Sequence, residues 1–185
     1  QALVTPENVQ VLLRNLESSL TATYIAAVQT MLEPSLSQTL MTHRPLPQDA
    51  NPAGNVHGGV ILKQIDLAGA VCAMRHARGL SVVTASIDRM EFKAPVQVGE
   101  LMLLMASVNM VGQHSMEVGV RVEVENLFTG EKRHAASAYL TFVAMGQDRK
   151  PTQVPGLVLE NPVHERRNRE ALMRRQLRQE ERVRE

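Results

Sequence analysis

Apolar positions recur with two different periods along this chain, and the switch between them divides it. The clearest period-two stretch is "SMEVGVRVEVEN". Met116, Val118, Val120, Val122 and Val124 fall on one face, and Glu117, Arg121, Glu123 and Glu125 on the other. That alternation predicts a half-buried strand with its charged face toward solvent. "SVVTASIDRMEF" before it, from Ser81, reads as one long strand stopped by Pro95 and the turn "VQVGE". "LMLLMASVNM" and "HAASAYLTFVAM" read as two more, separated by the turns "VGQHS" and "LFTGEK". Upstream the pattern is helical. "VTPENVQVLLRNL" has Thr5 as an N-cap, Pro6 at the first helical position and Val9, Leu12, Leu13 and Leu16 on one face. This helix is expected to reach about Leu32, with Pro34 ending it. "SLSQTLMTH" reads as a short strand, and "RPLPQDANPAGN", rich in Pro, Asn and Gly, as a loop. Residues 58 to 76 form a second helix, apolar on almost every side, broken near Gly79.

Helix, strand, helix and then four strands joined by short turns is the order of an α+β fold with an antiparallel sheet. The near-continuous apolarity of residues 60 to 74 predicts that the sheet wraps this helix rather than lying at its side. A sheet curled around one central helix is the hotdog architecture. Three segments follow: an N-terminal helical extension over 1–34, the hotdog domain over 35–160, and a charged helical tail over 161–185. Residues 148 to 162, "DRKPTQVPGLVLENP", read as an irregular linker. Residues 163 to 185 hold eight Arg and five Glu, with Glu165–Arg169, Glu170–Arg174 and Glu180–Arg184 in the helix-supporting order. The tail is expected to be a solvated helix, with an arm on a partner subunit as the second reading.

Composition narrows the class. Of 185 residues 44% are apolar but only 3% aromatic, so the core must be built from Val, Leu, Ile, Ala and the ten Met. A formal charge of +1 leaves no footprint for nucleic acid or an anionic membrane. The lone cysteine, Cys72, excludes an intrachain disulfide framework. No apolar run approaches the roughly 18 residues that span a bilayer, and the first residues lack the layout of a signal peptide. A cytoplasmic protein with no membrane or nucleic-acid partner is expected.

One residue resists this bland picture. Asp66 sits mid-helix between Ile65 and Leu67, with Leu62 and Ala70 on its face. An unpaired carboxylate there is costly, so it needs partners or a role. The helix opens on Gly58 and Gly59, whose backbone amides have no intrahelical acceptor and permit close approach of a carbonyl oxygen. Asp66 lies seven or eight residues on, a rise of about 10–12 Å at 1.5 Å per residue. That separation is too large for both ends of one helix to act on one carbonyl, which points to a site completed by a second subunit.

"NPAGNVHGGVILKQIDLAGAVCAMRHA", "VVTASIDRMEFKAPVQVGE" and "GQHSMEVGVRVEVENLFTGEK", in this order, resemble the acyl-CoA thioesterases of the hotdog superfamily. The likeness is to YciA-like bacterial hydrolases and the brain-type acyl-CoA hydrolases of animals, over residues 36 to 160. The resemblance implies hydrolysis of acyl-CoA with Asn55 and Asp66 as a catalytic pair from opposite subunits of a homodimer, and a trimer of dimers as the assembly. It also implies that Val83 and Thr84 lie on the edge strand lining the thioester channel. No cofactor is expected, coenzyme A being part of the substrate. Asp66 is then base or nucleophile, Asn55 orients water or carbonyl, and the amide of Gly58 or Gly59 donates to the oxyanion. Water activation and an acyl-aspartyl anhydride both remain open.

Coenzyme A carries phosphates, and Arg89, Lys93, Arg149 and Lys150 are the candidate cations. His57 is a lesser candidate for a direct role and reads better as a helix-start residue. The other histidines show no metal-ligand spacing, so no metal is expected. Two other readings stand beside hydrolysis. One is a hotdog hydratase or dehydratase using His57 with Asp66, and the other a non-catalytic acyl-CoA-binding regulator.

Overall fold

The computed structural model describes residues 31–184, together with Arg14, which is helical. The rest of the helix expected over residues 6–32 lies outside the described residues, except at its end. There Met31–Leu32 is not helix but a two-residue strand, β1. It pairs in parallel with Gly156–Leu157 (β7), which therefore gives the expected irregular linker a point of attachment.

The expected strand at residues 35–43 splits in two. Pro34–Ser37 is one helical turn (α1), with Pro34 at its start and the Ser37 hydroxyl donating to the Pro34 carbonyl. Proline fixes the helical φ and gives up an amide that the first turn does not need, so helix wins over strand there. Thr39–His43 (β2) is the strand proper. Gly58–His76 is α2, followed by β3 (Ser81–Phe92), β4 (Leu101–Val111), β5 (Ser115–Glu125) and β6 (Lys132–Met145). The five strands β2 to β6 form one antiparallel sheet in the order β2-β4-β5-β6-β3. Pro162–Arg184 is α3. Among the described residues no helix is long and apolar enough to cross a membrane.

Alternation along the central strands sends Met102, Leu104, Val118, Val122, Leu140 and Phe142 to one face, where they are buried with Ile61, Ile65, Ala68 and Cys72 of α2. Small residues set how close helix and sheet come. A Cβ at Gly69 would lie 3.0 Å from two ring atoms of Phe142, so the ring packs directly on the helix backbone. α2 ends where Arg78 and Gly79 take positive φ, a conformation glycine adopts without strain. Its burial is one-sided within a single chain. Leu67, Val71 and Met74, spaced as one helical stripe, are all exposed, as are Ile87 and Phe92 of β3. The wrap expected from the continuous apolarity is therefore half complete.

The opposite face of the sheet is not the charged, solvated surface that alternation predicts. Glu117 is 0% exposed. Its carboxylate accepts from Arg174 Nη2 (2.6 Å) and Nε (3.2 Å) of α3. Arg178 lies 3.6 Å from the same carboxylate and donates to Asp88 at 2.6 Å. The Arg174 guanidinium also stacks 3.7 Å from the Tyr139 ring centroid. α3 is capped by Asn161, whose Oδ1 accepts the amides of Val163 and His164, both at 3.0 Å, and it buries Ala171 and His164. The tail thus packs on its own sheet rather than being solvated. A carboxylate is buried without ruin only when paired, and α3 supplies the pairing cations. That is why Arg174 turns to Glu117 and leaves Glu170 to Arg166, 2.7 Å away.

Two tests follow from this packing. His76 is buried, with Nε2 3.1 Å from the Pro155 carbonyl, and burial holds its pKa below the ordinary 6.5. The unfolded chain therefore takes up that proton first, so the stability contribution is full above about pH 6.5 and falls as pH drops. Glu100, whose pKa is lowered by hydrogen bonds from Arg133, adds its own loss only further into acid. The melting temperature should fall between about pH 7 and pH 5, and His76→Gln should flatten that slope; an equal slope in the variant would remove His76 as the cause. Gly69→Val should push a branched side chain into the Phe142 ring and cost about 1–3 kcal/mol, read as a lower denaturation midpoint. An unchanged midpoint would mean that the ring moves aside freely.

Candidate active site

The loop leading into α2 is held by its own asparagines. Asn51 Oδ1 accepts the amides of Ala53 (2.9 Å) and Asn55 (3.2 Å), and the Asn51 amide donates to the Asn55 carbonyl at 2.7 Å. Gly54 allows this tight turn with φ +85°. Asn55 Oδ1 in turn accepts from Gln97 Nε2 at 2.8 Å. Both asparagines thus use their carbonyl oxygens within the protein and keep their NH2 groups as donors. Gln97 is fixed from behind: its backbone N–H donates to Glu100 at 2.8 Å, and Glu100 takes two 2.7 Å hydrogen bonds from Arg133, which hold its carboxyl below the usual range. Nothing in the local sequence marks Gln97, because it reaches Asn55 from 42 positions away.

At the helix start, His57 is the N-cap. Its Nδ1 accepts the Gly59 amide at 3.0 Å. The Gly59 amide, one of the two expected oxyanion donors, is therefore occupied, and His57 holds the helix rather than a proton in transit. Gly58 keeps the first amide of the helix, which has no intrahelical acceptor. A Cβ at Gly58 would stand 3.2 Å from Cζ of Phe92, so this position has room only for glycine while the ring stays in place.

Asp66 is half-buried and finds its partner in β3: the Thr84 hydroxyl donates to Asp66 Oδ1 at 2.6 Å. Thr84 is the register partner of Phe142, whose ring packs on Gly69 one turn along α2 from Asp66. The packing that brings helix to sheet is thus the packing that brings these two groups together. Val83, expected beside Thr84 in the channel, pairs with Val143 and points to the other face of the strand. Asp66 lies eight residues from Gly58, about 12 Å along the axis, so one chain does not bring carboxylate and helix-start amide together.

The four candidate cations are not brought together either. Arg89 lies opposite Tyr139 on the outer face, and Lys93 pairs with Glu91 at 3.3 Å, both near the Phe92 end of β3. Arg149 and Lys150 occupy the turn after Met145, which pairs with Ser81 at the other end, roughly 35 Å away at about 3.3 Å per residue. Cys72 is not a nucleophile in this fold: burial pushes its thiol up to about 12. Among the described residues no cluster of His, Cys, Asp or Glu could hold a metal ion.

Residues 53–127 match the model of the thioesterase superfamily. The uncharacterized acyl-CoA thioester hydrolase YkhA of Bacillus subtilis is 40% identical over 67% of this chain and 72% of its own length. The acyl-CoA hydrolase of Staphylococcus aureus, solved with butyryl coenzyme A, coenzyme A and coenzyme A disulfide, superposes with a TM-score of 0.77 at 35% identity, over 83% of this chain and 93% of that one. It has also been solved with an aspartate, an asparagine and a threonine each replaced by alanine; the asparagine precedes the aspartate by 15 residues and the threonine follows it by 17. A hexameric acyl-CoA thioesterase matches with a TM-score of 0.78 at 37% identity, over 82% of this chain and 96% of its own. The helix packed on a five-stranded antiparallel sheet, the superfamily match and identity at this level over most of a relative's length place this chain among the hotdog acyl-CoA thioester hydrolases.

Proposed function

We propose that this protein hydrolyses acyl-CoA thioesters to the free carboxylic acid and coenzyme A, with Asp66 as the working carboxylate and a second copy of the chain completing the site. The observation that carries the reading is the 2.6 Å bond from Thr84 to Asp66 Oδ1. It fixes the carboxylate through Oδ1 on a helix face that one chain leaves open, and leaves Oδ2 for the reaction. A thioester carbonyl is already electrophilic, and coenzyme A leaves as a thiolate. One carboxylate and a few amide donors are therefore sufficient, without a cofactor. In the water route, Asp66 takes a proton from water as the hydroxide adds to the carbonyl carbon. The oxyanion is held by the Gly58 amide of the facing copy, and its collapse breaks the C–S bond. The proton on Asp66 then passes to the departing sulfur. In the covalent route Oδ2 attacks the carbonyl carbon, the C–S bond breaks as the coenzyme A thiolate leaves, and water hydrolyses the resulting anhydride to the free acid and the Asp66 carboxylate.

The second copy has a surface to meet. Among the described residues the outer side of β3, twelve residues long, is an unpaired sheet edge, flanked by Ile87, Phe92 and the stripe Leu67, Val71 and Met74 of α2. An exposed edge beside a contiguous apolar patch is a liability unless covered. Two such edges joined antiparallel extend both sheets, close both helices and bring one chain's helix start toward the other's Asp66. Three such dimers match the hexameric state of the relative described above.

The amide partner is better assigned to Asn51 than to Asn55. Asn51 precedes Asp66 by 15 residues, the separation between the substituted asparagine and aspartate in the S. aureus enzyme, whereas Asn55 precedes it by 11. Asn55 then serves the loop, tied to Gln97. A hydratase mechanism would need His57 as proton carrier, but its Nδ1 caps α2 and it lies nine residues from Asp66.

Thiol release from acyl-CoAs of increasing chain length is the direct assay. Asp66→Asn should lower kcat at least about a hundredfold, and Asn51→Ala about a hundredfold or more, with Asn55→Ala losing less. Near-normal turnover in Asp66→Asn would end the proposal. Co-expressing the Asp66→Asn and Asn51→Ala chains tests the shared site. Mixed dimers hold one intact site if the pair spans two copies, and activity returns; a mixture as inactive as its parents would put both residues in one chain's site.

A further inference from the structure

The side of the sheet turned away from Asp66 carries a second feature that hydrolysis does not use. Between this outer face and α3 lies a cavity of about 530 Å³. Its floor includes Ser107 of β4, Arg121 of β5 and Tyr139 of β6, and its α3 side carries Arg166, Arg167 and Arg174. Ser107 faces outward because its register partner is Gly119, which pairs onward with Tyr139.

Two side chains here are left with unspent hydrogen-bonding capacity. Ser107 is 8% exposed, and among the described residues its hydroxyl has no partner. A buried hydroxyl without a partner costs on the order of 1–3 kcal/mol, and alanine would fill the same strand position without that cost. Arg167 is half-buried and makes no ion pair or hydrogen bond among the described residues. The other three cations are already matched: Arg174 by Glu117, Arg166 by Glu170 and Arg121 by Glu123 at 2.8 Å. The lining therefore offers a hydroxyl, several guanidinium forks and, in Arg167, one cation without a counter-ion, and among the described residues Glu170 is its only carboxylate. Donor-rich and cationic is the chemistry that selects phosphate oxygens. The volume suits a ligand larger than a single phosphate.

We propose that this cavity binds a phosphate-bearing small molecule, held by Arg167 from α3 and by the Ser107 hydroxyl from the sheet. The site is separate from the one at Asp66 and does not depend on the hydrolytic reading. Phosphate of this kind has two sources: the nucleotide end of coenzyme A, or a free diphosphate. Isothermal titration of the full chain with pyrophosphate and with 3′,5′-ADP distinguishes them. Binding of both marks a general diphosphate site, and binding of 3′,5′-ADP alone marks the coenzyme A nucleotide. In either case Arg167→Ala should weaken binding at least tenfold and Ser107→Ala severalfold, while Asp66→Asn leaves it unchanged. No heat from either probe at millimolar concentration overturns the proposal. So does binding that is the same in wild type, Arg167→Ala and Ser107→Ala, since that places the anion elsewhere.

Discussion

The contact between the Phe142 ring and the backbone of α2 at Gly69 sets the geometry on which the rest depends. With no side chain at Gly69, the helix comes down onto the sheet until the aromatic ring meets its main chain. Asp66 is one turn back on that helix, and Thr84 is directly across the ladder from Phe142. A helix raised by one methyl group would lift the carboxylate from the hydroxyl that orients it. Core packing and site geometry are therefore one arrangement, and the low aromatic content makes the single buried Phe142 correspondingly important.

The outer face follows a different logic. Glu117 sits on a central strand with no solvent and three donors: Arg174, Asn109 and, more distantly, Arg178. Replacing this network with apolar residues would not obviously weaken the fold. What it provides is register: Arg174 and Arg178, four apart on α3, fix the helix lengthwise over β5 and β3. The same helix then presents Arg166 and Arg167 to the neighbouring cavity at a defined height. A tail that reads as salt-bridged and solvated is thus part of the folded body.

Much of this was legible in the chain because it rests on local periodicity. The alternating Met and valines of β5 fix its inner face, and Gly58 opens α2 while Gly79 stands three residues past its end at His76. Asp66 was legible as an anomaly, a charge on an apolar helix. What escaped depends on partners distant in sequence. Alternation tells which face Glu117 takes, but not that a helix 57 residues later covers it. The loop sequence shows two asparagines, Asn51 and Asn55, but not that Gln97 occupies one of them. The glycine pair shows two free amides, but not that His57 folds back on one. In each case the residue type was informative and its partner was not.

β3 departs from simple alternation twice, since its register with β6 steps past Ala85 and again past Asp88. Thr84, Ile87, Met90 and Phe92 consequently share the face that an unbroken strand would give to every second residue. Each step absorbs one residue without turning the rest of the strand over. Chain length in this segment is therefore a poor ruler for comparing relatives. Thr84 lies before both steps, so only counts that run on past Ala85 are affected by them. A gap of one residue in an alignment across this edge need not move a side chain from one face of the sheet to the other.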